Sequence, residues 1–248
     1  VRTAIGMDLR IGQYLHVNSY WNDEAALVIT ILHRGFGDLL KPLDFAQAAP
    51  PMFLWLESLA FVKYGASELV LRALPVLLGM IGLPCFAALA WRLLRPVGAV
   101  WAVAWFAMND RIIPQACEVK QYSSDVLFST LLFLVAFGGR KPVSDVNRLA
   151  RVAALASIGV WFSFPSAIVF GGIALALMPA VLRRSGGWRW FGACMALPLI
   201  STGLLARIVL SHPRDPYLNE FWSAHFVDLH HPVRWLADAL CALADYPF

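Results

Sequence analysis

Apolar residues run almost unbroken through 69–91, 97–108, 126–139, 149–182 and 190–210 of this 248-residue chain, and short polar stretches separate the runs. Several of them come close to the roughly 20 residues needed to cross a bilayer. Lipid offers backbone groups no water to bond, so helices are the expected spanning form. The pattern predicts helices over about 67–92, 97–115, 123–139 and 188–210. The run 149–182 is too long for one crossing, and Ser163-Phe164-Pro165-Ser166 interrupts it. Proline lacks the N–H donor and biases its predecessor toward extended backbone, so two helices with a break between them are expected there. The fold class read from the pattern is all-α, a polytopic transmembrane helical bundle of about six crossings. Its outer-face loops carry short amphipathic helices.

Composition strengthens this picture. Hydrophobic residues make up 59% of the chain and charged ones 15%, against about 45–50% and 25% in soluble domains. The positions of lysine and arginine give the orientation. Three inter-helix loops hold Arg92 and Arg95; Arg140, Lys141, Arg148 and Arg151; and Arg183, Arg184 and Arg189, with Asp145 their one acid. These loops sum to +8 and the rest of the chain to −4. The basic side is therefore expected in the cytoplasm and the acidic side on the periplasmic or extracellular face. The net charge of +4 comes from this topology and gives no reason to expect nucleic acid as a partner.

The polar segments organise the outer face. Residues 1–20 contain Arg2, Asp8 and Arg10 without a long apolar core, so they are no signal peptide. The chain opens on Val1 with its first residues read as outer, and stops at Tyr246-Pro247-Phe248. An upstream crossing and a C-terminal continuation are expected, making this a fragment. A first outer segment runs to about residue 67. In it, 24–33 reads as a short helix with Ala25, Val28, Ile29 and Leu32 on one face, ended by Arg34-Gly35-Phe36-Gly37. Residues 52–64, with Glu57 and Lys63, read as an interfacial helix or the outer end of a crossing, because such charges are costly at mid-bilayer. The tail, 211–248, has amphipathic stretches around 217–229 and 233–244. The four cysteines show no zinc or C-x-x-C spacing, and a Cys117–Cys241 disulfide is left open.

Asp23-Glu24 is the first candidate for chemistry. Successive side chains on a helix diverge by about 100°, so one could serve as a general base while the other holds a metal or acceptor. The structural alternative is that Asn22 or Asp23 caps the helix and the acids favour its first turn. The second candidate is Cys117-Glu118-Val119-Lys120-Gln121-Tyr122-Ser123-Ser124-Asp125. If extended, it turns Glu118, Lys120 and Tyr122 to one side. Lys120 could then bind a phosphate as a point charge, and Glu118 a metal or hydroxyl; the alternative is an interfacial Lys–Glu pair with Tyr122 in the aromatic belt. Arg207, near the end of the last apolar run, could contact an anionic head group or simply snorkel to the interface. His225, His230 and His231 lack metal-ligand spacing and read as solvated. No phosphate loop, dinucleotide turn, Asp-x-Asp or nucleophile elbow is present.

Tyr20-Trp21-Asn22-Asp23-Glu24-Ala25, Pro42-Leu43, Gln47-Ala48-Ala49-Pro50-Pro51, Gly65-Ala66-Ser67-Glu68-Leu69 and Arg72-Ala73-Leu74-Pro75 resemble the N-terminal half of GT-C membrane glycosyltransferases. The likeness is to the dolichyl-phosphate-mannose protein mannosyltransferase and aminoarabinose transferase group, family-39-like. Glu118-Val119-Lys120-Gln121-Tyr122-Ser123 resembles that group's second outer-loop motif. The resemblance implies that 1–210 is the N-terminal part of the transmembrane module, with its first outer loop at 1–67, and that 211–248 begins a large outer loop. It implies transfer of a sugar, with inversion, from a polyprenyl-phosphate carrier to a lipid, glycan or protein acceptor at the outer face. Asp23 would be the base and Glu24 would position the acceptor. Glu118, Lys120 and Arg207 would border the donor phosphate. No cofactor is required by it, although Glu24 and Glu118 could hold a divalent metal. The rival class is a polytopic transporter or a non-catalytic carrier-binding protein, for which paired broken helices and mid-membrane acids are the expected marks.

Overall fold

The computed structural model describes residues 2–16, 19–139, 143–210, 227–228 and 230–245. The chain divides into two compact units, Val1–His212 and Pro213–Phe248. Among the described residues it is all helical.

The first unit holds helices α1 (Arg2–Leu15), α2 (Asn22–His33), α3 (Pro51–Tyr64), α4 (Glu68–Leu93), α5 (Pro96–Met108), α6 (Ile112–Gln115), α7 (Tyr122–Phe137), α8 (Asp145–Gly159), α9 (Pro165–Leu182) and α10 (Gly187–Leu210). Two 3-10 turns, Asp38–Leu40 and Asp44–Ala46, lie between α2 and α3. Helix starts follow local chemistry. Proline occupies the first turn of α3, α5 and α9, where its missing N–H costs nothing. Ser67 and Ser144 accept the N–H of Val70 and Asn147 at the heads of α4 and α8. Gly65 ends α3 at φ 91°, a backbone state that favours glycine.

Helices α4, α9 and α10 are long and apolar enough to cross a bilayer, and α5 and α7 are shorter apolar helices. Much of their apolar surface points outward: Trp101, Trp105, Ile168, Leu175 and Leu199 are exposed. Helices α7, α8, α9 and α10 share one core around Leu132, Leu149, Val152, Ala156, Ile173 and Leu177.

The expected break in 149–182 is present as the turn from α8 to α9. Ser124 on α7 donates to the carbonyl of Phe162 at 2.8 Å, and the amide of Met52 donates to that of Trp161 at 3.0 Å. Trp161 Nε1 donates to Ser201 Oγ on α10 at 2.7 Å. The α8–α9 turn, the heads of α3 and α7 and the nearby flank of α10 therefore gather at one end of the bundle. At the opposite end Arg92, closing α4, lies against Gly138, which closes α7.

Three local expectations change. Residues 2–15, where no helix was expected, are helical. They form α1, which runs antiparallel to α4, with Gly6 against Leu83 and Ala107 and the Tyr14 hydroxyl donating to the Leu69 carbonyl at 2.7 Å. Arg10, 1% exposed, donates to the carbonyls of Ala107 and Phe106 at the C-terminal end of α5, where the helix dipole favours a cation. Helix α2 begins at Asn22 rather than 24. Its buried stripe is Glu24, Leu27, Val28 and Ile31, so Ile29 faces outward. A carboxylate at the head of that stripe disguised its phase.

In the second unit the described residues form α11 (Pro232–Asp245), an amphipathic helix with Val233, Leu236 and Leu240 exposed. His231 contacts Asp228 at 3.2 Å. His225 and most of the stretch 217–229 lie outside the described residues. All four cysteines are free thiols.

Candidate functional site

Trp21 caps α2 with its backbone alone, so neither Asn22 nor Asp23 is the N-cap. The capping comes from Glu24, three residues in, whose Oε2 accepts the Trp21 N–H at 3.2 Å, the backward half of a capping box. The same carboxylate is 1% exposed and fully engaged. Arg72 on α4 donates through Nε to Oε1 at 2.9 Å and through Nη2 to Oε2 at 3.0 Å. The Val119 amide donates to Oε1 at 2.9 Å. Arg72 also faces Glu68 at 3.9 Å and sits 5.0 Å from the centre of the Tyr20 ring. Glu24 thus ties the head of α2 to α4 and to the 117–121 turn. As a metal ligand or acceptor clamp it would have to give up Arg72, and the buried guanidinium would lose its partner. Its place in the site is structural.

Asp23, one residue and about 100° away, lies off the buried stripe. It is exposed and, among the described residues, no hydrogen bond or ion pair engages its carboxylate. The adjacent acids therefore occupy opposite environments, one locked and one available. The field of Asp23 reaches Lys120 and Glu118, so the two sequence segments converge.

Residues 117–121 form a compact turn, with the Lys120 amide donating to the Glu118 carbonyl at 2.7 Å. The expected extended alternation is absent: Val119 and Lys120 are both buried, and Tyr122 already opens α7. The Lys120 ammonium donates to the Gln47 amide oxygen at 2.5 Å. Burial lowers its affinity for a proton, and Asp23, Glu118 and Glu24 oppose that effect. Burial raises the Glu118 carboxyl above the usual range; Glu24 adds to this and Lys120 works against it. Gln47 is delivered by the loop after α2, where Arg34 grips Asp44 through Nε and Nη2 at 3.1 and 2.6 Å. Phe45 in that loop adopts φ 56°, rare for a residue with a side chain.

Beside this cluster lies a cavity of about 160 Å³, lined by Gln13, His16, Ser19, Trp21, Cys117 and Glu118, with the Glu24–Arg72 pair also in its wall. It has room for several waters. Cys117 is held as a thiol, its pKa pushed up to about 11 chiefly by burial, so it offers no thiolate nucleophile. Arg207 is exposed near the end of α10. Its neighbours Ile208 and Val209 line a separate cleft with Leu39, Leu43 and Ala49. Among the described residues no hydrogen bond or ion pair joins Arg207 to the Asp23–Lys120 cluster. Among those residues, too, no group of three or more His, Cys, Asp or Glu side chains is placed to hold a metal ion.

Sequence reasoning brought Asp23, Glu24, Glu118 and Lys120 together but gave Arg72, Gln47 and Trp21 no role in the site. For Arg72 a signal existed: a lone arginine inside an apolar run demands a partner. Gln47 and Trp21 carried no comparable signal. No family model, curated protein or solved structure matches the chain.

Proposed function

We propose that this chain is a membrane glycosyltransferase that moves a sugar from a polyprenyl-phosphate carrier to an acceptor hydroxyl, with inversion, in a multi-pass bundle of about six crossings whose site faces the periplasm or cell exterior. The observation that carries this reading is the exposed, unengaged carboxylate of Asp23 beside the buried ammonium of Lys120, at the end of a bundle whose helices are apolar enough for lipid. A lipid-borne donor requires that coincidence of an apolar wall, a base and a cation.

The chemistry is a single displacement. Asp23 takes the proton of the acceptor hydroxyl as its oxygen bonds to the anomeric carbon. The bond from that carbon to the phosphate oxygen breaks on the opposite face, and polyprenyl phosphate leaves with the electron pair. Lys120, steadied by Gln47, stabilises the charge developing on the leaving phosphate. The Glu24–Arg72 pair holds the two segments in register without taking part. General-base help contributes about 10²–10⁴-fold.

The test is transfer of labelled sugar from polyprenyl-phosphate carriers by the full-length protein in membranes. Asp23→Asn is expected to lower kcat by about 10²–10⁴-fold with donor binding retained. Equal rates would remove Asp23 as the base. Absence of transfer from every carrier by the unaltered protein would favour the transporter reading.

A further inference from the structure

The cavity walled by Glu118 and the Glu24–Arg72 pair is unlike a phosphate site. Its cation, Arg72, is matched by Glu24 at 2.9 Å and flanked by Glu68 at 3.9 Å. Glu118, in the cavity wall, is an acid without such a match among the described residues, and Lys120 does not line the cavity. An anionic group entering here would meet the Glu118 carboxylate and, in Arg72, a guanidinium already engaged by Glu24. The remaining lining includes hydrogen-bonding groups: the Gln13 amide, the Ser19 hydroxyl and the His16 imidazole. At its rim Trp21 leaves 73% of its surface exposed. No aromatic contact covers the indole among the described residues, and its backbone is fixed as the α2 cap.

We infer that this cavity is the acceptor subsite and that it takes a neutral glycan, one sugar ring lying against the Trp21 indole with its hydroxyls directed to Gln13, Ser19 and Glu118. The inference rests on the glycosyltransferase reading and assigns the acceptor class that reading leaves open. An exposed aromatic face supplies flat apolar contact for the C–H side of a ring. Amide, hydroxyl and carboxylate groups both accept and orient hydroxyls. The arrangement separates the two substrates by charge: the donor phosphate belongs with Lys120, and the uncharged acceptor with the acid-lined cavity. Asp23 stands outside the cavity, but its field reaches Glu118 in the cavity wall, so a hydroxyl directed to Glu118 lies on the side of the base.

Saturation-transfer NMR on the full-length protein in nanodiscs tests this, with the neutral disaccharide N,N′-diacetylchitobiose as probe and inorganic phosphate as competitor. Saturation of ring C–H protons is expected with the unaltered protein, about tenfold weaker binding with Trp21→Ala, recovery with Trp21→Phe, and no competition from phosphate. Trp21→Ala leaves the backbone cap and the buried Glu24 contacts in place, so loss of binding reads the indole itself. Undiminished binding in Trp21→Ala, no binding by the unaltered protein, or displacement by phosphate would each overturn the inference. Sugar binding that depends on Trp21 without any transfer from polyprenyl carriers would instead reject the transferase reading and leave the glycan subsite standing. Transfer with an acceptor KM unchanged by Trp21→Ala would reject the subsite and leave the transferase.

Discussion

Glu24 and Asp23 show how little sequence adjacency says about role. Glu24 is buried against Arg72 and the Val119 amide, so removing either partner strands a charge away from water. Glu24→Ala is expected to destabilise the protein by about 3–5 kcal/mol, measured by denaturant or thermal unfolding in detergent. The double replacement of Glu24 and Arg72 by leucine should recover much of that loss, because neither charge is then left alone. Glu57 on α3 gives the residue-scale pH prediction. It is fully buried, both carboxyl oxygens lack partners among the described residues, and burial raises its pKa well above the usual value. An unfolded glutamate titrates near about 4.3. Between that value and the folded one, the native state holds a proton that the unfolded state has lost, so stability falls as pH rises through the window. Glu57→Gln should flatten this dependence. Glu57→Met should raise stability by about 1–3 kcal/mol at pH 7. A pH profile of thermal unfolding that is the same in both variants and the parent would remove Glu57 as the titrating group. From sequence alone, the acid pair was visible but its division of labour was not. That division depends on Arg72, 48 positions away, and on which face of α2 is buried.

At the scale of elements, the apolar runs gave α4, α7 and α10 nearly to their ends, because lipid-length hydrophobicity leaves little choice. The helix expected over 97–115 instead stops at Met108, where the Asn109 side chain accepts the Arg111 and Ile112 amides and opens α6. Pro165 marked the α8–α9 turn by opening α9, although Phe164 before it is helical rather than extended. Helix α1 was not legible: Asp8 and Arg10 break its apolar pattern, and the reason Arg10 is tolerated lies in carbonyls at residues 106 and 107. Close approach of α1 to its neighbours depends on Gly6. A Cβ there would stand 2.8 Å from both Ala107 Cβ and Leu83 Cδ2. Gly6→Leu is therefore expected to push α1 away and cost about 1–3 kcal/mol. Gly12, with nothing within 4 Å of a built Cβ, should accept alanine without loss. Thermal unfolding of the two variants separates the cases, and equal stability in both would deny the close packing of α1.

For the whole molecule, the prediction concerns sidedness. Asp110, in the bend between α5 and α6 at the end that carries the site, and Arg184, after α9 at the opposite end, should report opposite compartments. In a background without Cys241, Asp110→Cys is expected to react with a membrane-impermeant maleimide on intact cells, and Arg184→Cys only after permeabilisation. The reverse labelling would turn the site toward the cytoplasm. Lysine and arginine asymmetry is the ground for this expected orientation, whereas the gathering of residues 24, 47, 72, 118 and 120 required the fold. That gathering has a consequence for how the protein is made. Glu24 and Val119 lie 95 positions apart. At about 5–20 residues per second of synthesis, the carboxylate waits on the order of 5–20 s before the amide that completes its shell even exists. The register between the two site segments is therefore a late event in biosynthesis. Until then the nascent chain holds an acid whose final shelter has not yet been built.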